Sequence, residues 1–89
     1  LGNTYGDLGD QEKKRDVLQR TLAIQEQTYG SDHPEVATTL FNLGEAHGAL
    51  GDDSKKRDRL ERALAIFESA YGSDHPHTEL CQGQLDELP

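Results

Sequence analysis

The first residues in this chain whose types could do chemistry are two copies of Ser-Asp-His-Pro, at Ser31 to Pro34 and Ser73 to Pro76. A carboxylate beside an imidazole can relay a proton or hold a metal, and His75 and His77 lie two residues apart. That is thin for a closed zinc site, which takes four ligands. Asp and His just ahead of a proline also form a helix start, because Pro fits the first turn and a short polar side chain caps it. A junction that recurs is read as such a cap, supplied by Asp32 or His33, rather than as a metal pair. Cys81 has no second cysteine and no base at a recognisable spacing, so it reads as a small helix residue and not as a nucleophile. Lys13-Lys14-Arg15 and Lys55-Lys56-Arg57 are three cations each, followed at once by Asp16 and Asp58, and read as solvated helix faces. Gly44, Gly48 and Gly51 fall at helix spacing, where they permit close packing, and make no phosphate loop. No nucleophile, base and orienting group can be assembled, so neither enzyme activity nor a cofactor is expected.

The bulk properties narrow the class further. Eighty-nine residues make one domain at most, and a chain of this size buries only about 60 to 65% of its unfolded surface. Seventeen acids against nine bases give a net charge of -8, which argues against nucleic acid as a partner. No stretch approaches the roughly 20 apolar residues of a membrane span. A lone cysteine fits a reducing, cytoplasmic setting. The chain has no initiator Met and no signal-peptide pattern, and it reads as a piece of something longer.

The elements that must position these residues follow from an internal repeat. Sliding the chain by 42 positions makes 22 of the first 34 aligned pairs identical, including Leu8-Gly9-Asp10 on Leu50-Gly51-Asp52 and Tyr29 to Pro34 on Tyr71 to Pro76. Residues 35–42 share no identity with 77–84, so the copy decays towards the C-terminus. Val36, Leu40, Leu43, His47 and Leu50 step by four and three, a helix stripe over 35–50, with Glu35 at the positive end of its dipole and Gly51 to stop it. After Asp52, a natural N-cap, a helix over 53–71 carries Leu60, Leu64, Phe67 and Tyr71 on one stripe and Ala63, Ile66 and Ala70 beside it, which implies two neighbours. The first copy repeats this over 11–29 with Leu18, Leu22, Ile24 and Tyr29, after the tail of an earlier helix over 1–8. Asp58 with Arg62 and Asp16 with Arg20 are i,i+4 ion pairs in the favourable order. A final degenerate or capping helix spans 77–88.

The Leu-Gly, the Gly-Asp seven residues on, the Arg-Ala-Leu-Ala-Ile run of the second copy and the Tyr-Gly-Ser-Asp-His-Pro junction at a 42-residue period resemble the long tetratricopeptide repeats of kinesin light chains and related arrays. The resemblance reaches to about His75-Pro76. It implies an all-α fold, an α–α superhelix of antiparallel helix pairs, in which stacked hairpins cover one another's apolar faces. Lys14 and Lys56 depart from it, standing where a small Ala is usual, so that a long cation must reach out to water and packing near that turn is expected to be loose. The aromatic position of the first helix is Tyr5 in one copy and His47 in the other. Thr78 and Gln82 replace Val36 and Leu40, and Pro89 falls where His47 stood.

The resemblance also implies that the first helix of each pair lines a concave groove that holds a peptide. Carried onto this sequence, the contact positions are Asn3 and Asp7, then Thr38, Phe41, Asn42 and Glu45, followed by Leu80, Gln84 and Glu87 in the degraded copy. Asn42 can donate to and accept from a peptide backbone, and Phe41 stands between packing and groove. All nine Lys and Arg lie in the two second helices, whereas the groove-side segments carry Asp7, Glu35, Glu45, Glu79, Asp86 and Glu87. A neutral or basic peptide of a protein partner is therefore expected, with no nucleic acid and no membrane. The competing expectation is a structural spacer without a peptide ligand, or a homo-oligomer formed through exposed repeat ends.

Overall fold

The computed structural model describes the backbone of residues 2–88 and the side chains of residues 9–88. Four helices follow in order: α1 (Gly2–Tyr29), α2 (Pro34–Ala49), α3 (Asp53–Tyr71) and α4 (Pro76–Glu87). Consecutive helices pack on one another, α1 on α2, α2 on α3 and α3 on α4. The three-residue connection between α2 and α3 makes them antiparallel neighbours. The fold of the described residues is all-α, with α3 covered on two sides from Leu60 to Phe67, while Ala70 and Tyr71 at the ends of its two expected stripes are exposed.

The helix starts are built by imidazoles. His33 is the N-cap of α2, and its Nδ1 accepts the Glu35 N–H at 3.1 Å. His75 does the same for α4 with the His77 N–H, also at 3.1 Å. Of the two capping residues expected at the first junction it is His33 and not Asp32, which is exposed. Each capping ring stacks on the tyrosine that ends the preceding helix, Tyr29 on His33 with centroids 4.5 Å apart and Tyr71 on His75 at 4.3 Å. Asp52 caps α3 by accepting the Lys55 N–H at 3.1 Å. Gly30, Gly51 and Gly72 follow α1, α2 and α3 at φ of 84°, 87° and 89°, a region open to glycine and strained for other residues.

The core lies between α2, α3 and α4. Val36, Ala37 and Leu40 meet Leu60, Ala63, Ile66 and Phe67, and Cys81 closes the far side. Phe41, Leu64, Leu22, Leu85 and Leu88 pack against this cluster from its edges. Burial of these apolar groups is the main favourable term in forming the hairpin.

Three expectations are corrected. The helices over 1–8 and 11–29 are one continuous helix, with Gly9 inside it. Gly51 takes the positive φ of 87° that reverses the chain between α2 and α3, whereas Gly9 keeps helical backbone within α1. In α1, Ile24 is 63% exposed whereas its counterpart Ile66 is 6% exposed, since among the described residues no helix covers that side of α1, and the paired tyrosines Tyr29 and Tyr71 are exposed in both copies. Arg62 bonds Glu26 of α1 at 3.4 Å rather than Asp58, which pairs with Arg59, while Asp16 pairs with Arg15 at 3.2 Å rather than with Arg20. Adjacent or cross-helix partners thus replace the i,i+4 pairs.

Candidate functional site

α2 and α4 flank a cleft of about 210 Å³ whose floor is a residue of the helix between them. Thr38, Phe41 and Asn42 supply one wall, His77 and Leu80 the other, and Phe67 of α3 lies beneath. Each is positioned by packing elsewhere: Val36, Leu40 and Leu43 bury one face of α2 and so turn Thr38 and Asn42 to the other, while Cys81 anchors α4 and leaves Leu80 beside it 53% exposed. Phe67 is 3% exposed, with its ring 5.4 Å from that of His77.

Polar groups at the rim differ in what they have left to offer. The Thr38 hydroxyl donates back to the Pro34 carbonyl at 3.2 Å. The Asn42 amide is exposed and has no hydrogen-bond partner among the described residues, so its N–H groups and its carbonyl are free to meet a peptide backbone. Phe41 serves both sides, half-buried against the core and lining the cleft.

The cleft thus gathers Thr38, Phe41, Asn42 and Leu80 from the positions expected of a groove. Glu45 is exposed further along α2, Gln84 is half-buried and Glu87 exposed further along α4, and none of them lines the cleft itself. The side chains of Asn3 and Asp7 lie outside the described residues. Sequence reasoning passed over Phe67, taken as core alone, and His77, considered only as a metal ligand. A signal for both was present, since Phe67 interrupts the repeat where the first copy has Gln25, and His77 replaces Glu35.

Two buried titratable groups stand outside the cleft. His47 is 2% exposed, and its Nε2 has no hydrogen-bond partner among the described residues. Burial, followed by the positive charges of Arg59 and Lys55, pushes its pKa below the ordinary imidazole value. The Cys81 thiol is buried, donates to the Leu60 carbonyl at 3.3 Å and is pushed up to about 11 by burial, which makes it a poor nucleophile near neutral pH. The imidazoles of His33 and His75 spend Nδ1 on capping, and among the described residues no group of three or more His, Cys, Asp or Glu could hold a metal ion. A second hollow of about 290 Å³, on the other side of α4, is lined mainly by polar and acidic residues such as Glu68, Glu79, Gln82 and Asp86.

Comparison with known proteins agrees with this architecture. Two family models, both described as tetratricopeptide repeat, match the chain, one over residues 1–55 and the other over residues 36–77. No curated protein matches it. With histidine-capped helix starts 42 residues apart and a family match over more than half its length, the chain belongs to the tetratricopeptide repeat family, whose repeats are generally protein–protein interaction modules.

Proposed function

We propose that the chain holds a peptide segment of a partner protein in the groove between α2 and α4. The observation that carries this reading is the cleft over Phe67, where an exposed leucine and a free amide flank an apolar floor. Few precisely placed polar groups around an apolar hollow are the usual composition of a ligand site. An extended peptide laid there can bond Asn42 through its backbone and place one side chain between Phe41 and Leu80. Titrating an isotope-labelled chain with a peptide mixture tests the idea: amide shifts should concentrate at Thr38, Asn42, His77 and Leu80. Shifts confined to other surfaces, or none, would remove it.

A second reading, self-association, has its own observation. Ile24 is 63% exposed and Val17 58%, an apolar strip on α1 without a cover among the described residues. A light-scattering mass that rises with concentration, and returns to that of a monomer in an Ile24→Glu variant, would favour this reading over peptide capture.

A further inference from the structure

The two helices that flank the cleft change character along their length. Thr38, Asn42 and Glu45 follow one strip of α2, and Leu80, Gln84 and Glu87 follow the matching strip of α4, each 42 positions from its counterpart. Both strips begin at the apolar cleft, pass an amide and end on a carboxylate. Glu45 and Glu87 are exposed, and neither forms an ion pair among the described residues. Both lie near helix C-termini, since α2 ends at Ala49 and α4 at Glu87, where the negative end of the helix dipole adds to their charge. Every Lys and Arg of the chain lies in α1 or α3. The α3 cations nearest α2 meet it on another side, at Gly44 and Gly48.

We infer that the groove selects a basic peptide in a set register, with an apolar side chain seated between Phe41, Phe67 and Leu80 and a Lys or Arg about three residues away, facing Glu45 and Glu87. The spacing follows from geometry. Seven helical residues separate Leu80 from Glu87 and four separate Phe41 from Glu45, about 10 Å and about 6 Å at 1.5 Å per residue, and an extended peptide covers that in about two to three residues. Charge complementarity names the second contact, because an acidic side chain placed there would meet two carboxylates and no cation. This specificity rests on the groove reading above and narrows it to one chemistry.

The experiment is fluorescence anisotropy with short labelled peptides of one alanine-serine background. They carry Leu-x-x-Lys, Lys-x-x-Leu, Leu-x-x-Gln, Leu-x-x-Glu or Ala-x-x-Lys, so that either chain direction is sampled. One of the two Leu and Lys peptides should bind about three- to tenfold tighter than the Gln peptide, as expected of two exposed charge contacts, with the Glu peptide weakest. The preference should shrink in high salt and vanish in the double variant Glu45→Gln, Glu87→Gln, whose folding is checked by circular dichroism. Leu80→Ser, also at an exposed position, should weaken the Leu peptides and leave Ala-x-x-Lys unchanged. Equal or tighter binding of the Glu peptide, or a preference that survives the double variant, overturns the specificity while leaving the groove in place. Absence of binding by every peptide, or binding indifferent to Leu80→Ser, overturns both.

Discussion

His47 occupies the position at which the first copy carries Tyr5, and the exchange puts a titratable ring into the hairpin. Its carbonyl accepts the N–H groups of Leu50 at 3.1 Å and Asp52 at 2.8 Å, so the residue closes the turn between α2 and α3 through its backbone. Its side chain is buried with one nitrogen unpartnered, next to the positive charges of Arg59 and Lys55 and the opposing charge of Asp52. The folded-state pKa is lowered from 6.5, so the unfolded chain takes up the proton first as pH falls. The contribution of neutral His47 to stability is therefore complete above pH 6.5 and is lost as pH drops below it. Urea unfolding at pH 7.5 and 5.5 should show a larger loss for the native chain than for His47→Phe, which keeps the ring and removes the proton site. The same loss in both proteins would show that other groups govern the acid response.

At the scale of the elements, the approach of α2 to α3 depends on two glycines with different surroundings. A β-carbon on Gly44 would come within 3.3 Å of the Lys56 carbonyl oxygen and 3.3 Å of Leu60 Cγ, so the α3 backbone itself stands in the way. A β-carbon on Gly48 would come 2.5 Å from Lys56 Cδ, part of a flexible chain that can swing aside. Lys56 thus lays its methylenes over the bare Gly48 backbone, and the turn expected to be loose around a long cation is filled by that cation's own stem. Gly44→Ala should destabilise the fold by roughly 1 to 2 kcal/mol, since overpacking exceeds the gain in helix propensity. Gly48→Ala should be neutral or stabilising by up to about 1 kcal/mol. Thermal unfolding of the two variants checks the order, and a Gly48 variant that melts below the Gly44 variant would refute this account of the packing.

Across the whole molecule, one pair of identical residues measures what stacking contributes. Ile66 is 6% exposed within the core cluster, while Ile24, one period earlier in the same Leu-Ala-Ile run, is 63% exposed. Replacement by alanine should cost about 2 to 4 kcal/mol at Ile66, where it leaves a cavity, and less than about 0.5 kcal/mol at Ile24, where solvent fills the place. Chemical denaturation of the two variants at low protein concentration makes the comparison. A cost at Ile24 equal to that at Ile66 would mean that this face of α1 is covered in solution, the outcome the self-association reading requires.

The sequence by itself determined the helical class, the 42-residue period and the register of the buried stripe from Val36 to His47, because each helix writes its apolar face into local spacing that folding does not alter. It also placed Thr38, Phe41, Asn42 and Leu80 on one side of the first helices, through the resemblance to a known repeat. Only the tertiary structure decided that Gly9 continues a helix while Gly51 ends one, and that Ile24 is bare while Ile66 is buried, since identical residues differ there solely in what packs against them. The cleft was decided at the same level. Phe67 and His77 come to it from two different helices, and a contact between helices depends on how hairpins stack, which no single stretch of residues encodes.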